Sequence, residues 1–136
     1  MDKTNIKVDF RIVGDNFEPS DITSKLSLTP TSAWKKGDKF TRREKNLEKK
    51  YSCWRISTGY EESVDIVLQL NKIINILNDK KAILQDLKKV YSFDYRIDAV
   101  INIENGEAPA LYIESEIIKF ANDIGAELDF DLYILS

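Results

Sequence analysis

Four segments of this 136-residue chain alternate apolar and polar residues with a period of two, and that alternation limits the fold more than any other feature. In Ile6 to Val13, the residues Ile6, Val8, Phe10 and Ile12 fall on one face and Lys7, Asp9 and Arg11 on the other. In Tyr51 to Thr58, Trp54 and Ile56 oppose Cys53, Arg55 and Ser57. Tyr95 to Glu104 sets Ile97, Ala99, Ile101 and Ile103 against Arg96, Asp98, Val100 and Asn102. Leu128 to Leu135 sets Leu128, Phe130, Leu132 and Ile134 against Asp129, Asp131 and Tyr133. Successive side chains of a strand point to opposite faces, so each segment predicts a half-buried strand.

Between the strands the period changes to that of a helix. Pro19 suits the first turn of a short helix with Ile22 and Leu26 inward, and Thr29-Pro30 stops it. From Glu62 to Asn78, Ile66, Leu70, Ile73 and Leu77 recur at helical spacing. Asn78-Asp79 interrupts the run, and a second follows with Ile83, Leu84, Leu87 and Val90. Glu114 to Ile124 predicts a last helix, closed by Gly125. Two strand-helix-strand halves joined by a long helical segment predict an α+β, ferredoxin-like sandwich. It would have about four strands in an antiparallel or mixed sheet, helices on one face and an extra helix between two βαβ halves.

A chain of this length makes one ordinary domain, residues 1–136, that needs no disulfide to bury a core. Cys53 is the single cysteine, which fits a reducing compartment. Met1 to Phe10 lacks the apolar core of a signal peptide, and no stretch approaches the length of a membrane span. A cytoplasmic protein is the expectation. Charge is unevenly spread. Lys35 to Lys50 holds eight basic and three acidic residues, so it carries +5; against a net charge of −3, the rest carries −8. The segment from about residue 35 to 50 reads as an exposed loop, a hairpin or a short charged helix.

There is no histidine. Histidine-based triads, relays and zinc sites are therefore impossible, and one cysteine makes neither a Cys₄ site nor a redox pair. Isolated glycines make no phosphate-cradling loop. No catalytic residue, cofactor or metal is assigned. Asp98, Asp129 and Asp131, with Asp9, are the weak candidates for a metal site or an acid/base pair. Cross-strand ion pairs with Arg11, Arg55 and Arg96 explain the same residues.

Trp34 and Trp54 bracket the basic segment. They could form an aromatic floor for a ligand, or Trp54 could be core and Trp34 a loop anchor. The candidate binding residues are Trp34, Lys35, Lys36, Gly37, Asp38, Arg42, Arg43, Trp54 and Arg55. An acidic protein with one basic loop points to another protein as partner rather than to nucleic acid or a membrane.

One ordered series of residues is distinctive: Phe10-Arg11-Ile12-Val13-Gly14, Phe17, Pro19, Ile22, Leu26, Thr29-Pro30-Thr31, Trp34, Lys36-Gly37-Asp38 and Trp54. Glu116-Ile117-Ile118, Gly125-Ala126 and Leu128-Asp129-Phe130-Asp131 continue it. In this series the chain resembles domain-of-unknown-function family 4279, from about Val8 to Leu135. The resemblance implies a compact single domain of bacterial origin and no particular activity or cofactor. Any shared surface would fall at Trp34, Lys36, Gly37 and Asp38. The leading functional expectation is a non-enzymatic protein-binding module of the immunity or antitoxin type. The alternatives are a small-ligand or nucleotide sensor at Trp34 and the basic loop, and a carboxylate or metal-dependent enzyme.

Overall fold

The first strand, β1 (Asn5–Gly14), lies at the centre of the sheet and buries Ile6, Val8, Phe10 and Ile12 on one face. The computed structural model describes residues 2–136; Met1, where the signal-peptide argument begins, lies outside the described residues. In chain order β1 is followed by α1 (Pro19–Leu26), β2 (Ser32–Trp34), β3 (Lys39–Arg42), β4 (Lys45–Glu48), β5 (Ser52–Ser57) and β6 (Glu61–Glu62). Then come α2 (Ile66–Leu77), a 3₁₀ turn (Asn78–Lys80), α3 (Lys81–Val90), β7 (Phe93–Ile103), α4 (Ser115–Ile124) and β8 (Ala126–Ile134).

The main sheet runs β2-β5-β1-β7-β8, with β6 paired to the other end of β1. β5 and β7 flank β1 antiparallel, and β7 pairs β8 parallel. The fold is thus α+β with an open mixed sheet. Among the described residues that sheet has six strands instead of about four. The ferredoxin-like order does not emerge. A split βαβ unit leaves a strand between its parallel pair, whereas β7 and β8 are direct neighbours. Hydrophobic alternation sets which face of a strand is buried and carries no information on strand order.

One apolar layer joins the sheet to all four helices. Val8, Phe10, Trp54, Tyr95 and Ile97 meet Ile22 and Leu26 of α1, Ile66, Leu70 and Ile73 of α2, Leu84 of α3, and Ile117 and Phe120 of α4. Burying a side chain of this size is worth about 1.5–3 kcal/mol. Tyr95 meets its polar requirement by donating its hydroxyl to the Leu84 carbonyl at 2.6 Å. The helix expected from Glu62 begins at Ile66. Glu61–Glu62 pairs with Asn5–Ile6, and the Asp65 carboxylate caps the helix by accepting from the Val67 N–H at 3.0 Å.

Among the described residues, no helix lies on the opposite face of the sheet. It carries the odd-numbered residues of β1 and β5 and the even-numbered residues of β7. That uncovered face positions the candidate site.

Candidate interaction face and basic ribbon

Strand register brings like charges together on the uncovered face. Arg11 of β1 lies directly opposite Arg55 of β5 on one side and Arg96 of β7 on the other. One row along, Asp9, Asp98 and Asp129 stand side by side on β1, β7 and β8. Like charges directly opposite in a sheet are destabilising. Here each row is offset by the other. Asp9 Oδ2 accepts from Arg55 Nε at 3.0 Å and lies 3.7 Å from Arg11 Nη2 and 3.9 Å from Lys7 Nζ. Arg11 Nε is 3.4 Å from Asp98 Oδ2, and Arg96 spans Asp98 Oδ1 at 3.8 Å and Asp129 Oδ2 at 3.4 Å.

The offset is incomplete. Asp9 Oδ1, Arg11 Nε, Arg96 Nε and Asp98 Oδ1 are buried without a hydrogen-bond partner among the described residues. Asp9 is 1% exposed. Burial pushes the Asp98 carboxyl above the usual aspartate range; Arg11 and Arg96 pull it down, and Asp129 and Asp9 push it further up. Asp9, Arg11, Arg96 and Asp98 line a depression of about 320 Å³ together with Val13, Tyr51, Val100, Asp129 and Asp131.

Carboxylates so placed are ion-pair members. Among the described residues, no three acidic or cysteine groups are arranged to hold a metal ion. Asp98 and Asp129 share Arg96, so Asp98, Asp129 and Asp131 do not gather as a ligand set. Cys53 is fully buried in β5, and burial pushes its thiol up to about 11. The thiolate needed for nucleophilic chemistry is therefore suppressed.

The two tryptophans lie on opposite faces. Trp54 is 0% exposed, and its indole N–H donates to Thr23 Oγ1 at 3.0 Å beneath α1. It belongs to the core, so a shared Trp34–Trp54 floor does not exist. Trp34, at the end of β2, pairs with Cys53 and sits 6.0 Å from the Tyr51 ring. Tyr51, rather than Trp54, is its aromatic neighbour. Tyr51 heads the segment Tyr51 to Thr58 on the same side as Cys53 and Arg55, but nothing local to that segment ties it to Trp34, which reaches it only through the pairing of β2 with β5.

Lys35 to Asp38 form the root of the basic segment. Asp38 Oδ2 accepts from the Lys35 N–H at 2.8 Å, and the Lys36 N–H donates to Ser52 Oγ at 2.9 Å. Gly37, at φ 92°, donates its N–H to the Lys49 carbonyl at 2.8 Å. Lys35 pairs with Glu18 and Lys36 with Asp15, both at 2.9 Å. Four of the candidate binding residues thus build a turn. Arg55 is equally engaged, donating to Asp9 and, through Nη1, to Ser32 Oγ at 2.9 Å.

Beyond that root the chain forms an antiparallel ribbon of β3 and β4, paired only with each other. Every residue from 39 to 48 except Phe40 is exposed. Of the loop, hairpin and short-helix possibilities, the hairpin is the one realised. Its root is clamped by the Lys49 ammonium, which sits 4.2 Å from the Trp34 ring centre and 4.3 Å from that of Phe40. Arg42 and Arg43 lie at the free end.

The class of molecule is therefore an α+β domain with an open mixed sheet, one polar face bare of helices and a basic ribbon at its edge. No helix among the described residues is long and apolar enough to cross a membrane. The chain belongs to the family described as Domain of unknown function (DUF4279), which it matches over residues 4–135. No curated protein and no solved structure matches it.

Proposed function

We propose that this protein is a non-enzymatic binding module that engages another protein through the bare sheet face and the neighbouring ribbon, as a neutralising or immunity-type partner does. The observation that supports the reading is the pair of aligned charge rows, Arg55–Arg11–Arg96 and Asp9–Asp98–Asp129. A sheet face serving stability alone gains by alternating charges between neighbouring strands. This face pairs its charges diagonally between rows, with Arg96 opposite Glu127, and still leaves four polar atoms without hydrogen bonds, on strands that hold the pattern rigid. Local departures of this kind belong to working surfaces. A partner with complementary rows would complete the electrostatics and suppress wrong partners.

Capture from the native cell tests the reading. Arg96 and Asp129 are about half exposed and pair with each other, so the exchange R96D/D129R keeps their ion pair while reversing the pattern. The wild-type chain should retain a protein at low salt that the exchanged chain does not. Retention of nothing, or equal retention by both, overturns the proposal.

A second reading, a small polar ligand in the depression, draws on the same four unpartnered atoms. Trp34 beside Tyr51 would report it by fluorescence. A flat response across nucleotides and anionic metabolites, with Trp54 as the buried constant, removes it.

A further inference from the structure

The tip of the ribbon is built at a conformational cost. Arg42 and Lys45 close a two-residue hairpin turn, and its central residues Arg43 and Glu44 have φ of 53° and 64°. Positive φ at both positions is the mark of a type I′ turn, which Asn-Gly fits and side chains such as arginine and glutamate resist. The turn closes the β3–β4 ribbon, whose strand twist a type I′ turn matches, but the two side chains that bear the cost add nothing to that closure. Both residues are exposed, and neither has an ion-pair partner among the described residues. Strained backbone at an exposed tip is held where the side chains do work elsewhere.

The ribbon's two faces also differ. In register, Phe40 pairs with Leu47 and Arg42 with Lys45, and these two pairs share one face. That face is apolar near the root, where Phe40 adjoins the Lys49 ammonium that also sits over Trp34, and cationic at the end. The other face pairs Lys39 with Glu48 and Thr41 with Asn46. Lys39, Arg42, Arg43, Lys45 and Lys50 have no ion-pair partner among the described residues.

We propose that the β3–β4 ribbon is a docking prong for an acidic protein segment that carries an apolar residue beside its carboxylates, with Arg43 as the contact that sets specificity. The apolar residue would rest on Phe40 and Leu47, and the carboxylates would meet Arg42, Lys45 and Arg43. Arginine's planar fork suits a carboxylate in two-point contact. Phosphate chains fit less well. A duplex reaching the tip, roughly 14 Å out on four-residue strands, would carry its remaining charge past a body that holds −8 outside the segment from 35 to 50. This inference rests on the protein-binding reading and names the partner's chemistry at the ribbon.

The variant R43N/E44G separates contact from charge. It removes one charge of each sign, so net charge is unchanged, and it supplies the residues the turn prefers. The probe is a fluorescein-labelled ten-residue peptide with six glutamates and one central leucine, followed by anisotropy against the full chain at several salt concentrations. Wild-type should bind it in a salt-sensitive way, and R43N/E44G should bind about tenfold more weakly. The face exchange R96D/D129R should leave peptide affinity unchanged. Equal affinity of wild-type and R43N/E44G, or no binding by wild-type, overturns the prong. Tighter binding of a 20-base-pair DNA duplex than of the peptide overturns it in favour of nucleic acid. Face-dependent capture of a partner would stand in any of these cases, and loss of that capture would leave the peptide result intact.

Discussion

Asp9 and Asp98 stand directly opposite each other across β1 and β7, two carboxylates in one row. Arg11 touches both, at 3.7 Å from Asp9 Oδ2 and 3.4 Å from Asp98 Oδ2. The two acids nevertheless differ in what they do for stability, and that difference can be measured.

Asp98 is held above the usual aspartate range, first by burial. A folded state that binds a proton more tightly than the unfolded state is favoured at low pH, and the advantage is lost as pH rises through the folded value. At pH 7 the ionised Asp98 is therefore a burden. D98N should melt at a higher temperature than wild-type at pH 7, and the gap should close below roughly pH 4. Thermal melts across that range decide it; a lower melting temperature for D98N at pH 7 contradicts the assignment.

Asp9 does the opposite work, because it is the buried anion for Arg55, with Arg11 and Lys7 close by. Removing one partner of a buried pair leaves an uncompensated charge and costs about 3 kcal/mol. Urea unfolding of D9A should show that loss. A loss under about 1 kcal/mol, as for an exposed pair, would mean that Asp9 does not organise the face.

Gly14, at the end of β1, is required by packing. A Cβ built there would lie 2.8 Å from Phe93 Cβ and 3.1 Å from the Phe17 ring. Both neighbours are core residues, stacked edge to face at 5.4 Å. G14A should cost about 1–3 kcal/mol through overpacking, read by the same unfolding assay, and an unchanged midpoint would refute this.

Cys53 should be silent as a nucleophile. With its thiol pushed up to about 11 and no exposed surface, the native chain should not react with an aromatic disulfide reagent at pH 8. It should react promptly in urea. Fast native labelling would mean that β5 opens or that the thiolate forms readily.

Much of this was legible in the residues, and the exceptions have physical causes. The alternation of Ile6 to Val13 and of Tyr95 to Glu104 fixed which face each strand buries, since side-chain direction is a local property. Pairing partners are not local: the helix between β7 and β8 implied that the two run parallel, but not that they lie side by side. For the same reason Arg11, Arg55 and Arg96 were visible as polar-face residues, but their alignment in one row was not. β2 is three residues long, too short for a period to register. The ribbon turn was hidden because hairpin reading relies on Asn-Gly or Asp-Gly, and Arg43-Glu44 is neither. Of the two readings of Trp34 and Trp54, the one with Trp54 in the core is realised, because Trp54 shares the alternation of its strand with Ile56.

A partner protein seated on the helix-free face would shield its carboxylates, which carboxyl footprinting of the chain, alone and with the protein it captures, reads out. Asp129 and Asp131, which line the depression, should become protected. Asp86, exposed on α3 on the helical side, should label equally in both states. Protection of Asp86 with unchanged labelling of Asp129 and Asp131 would place the partner on the helices and contradict the account.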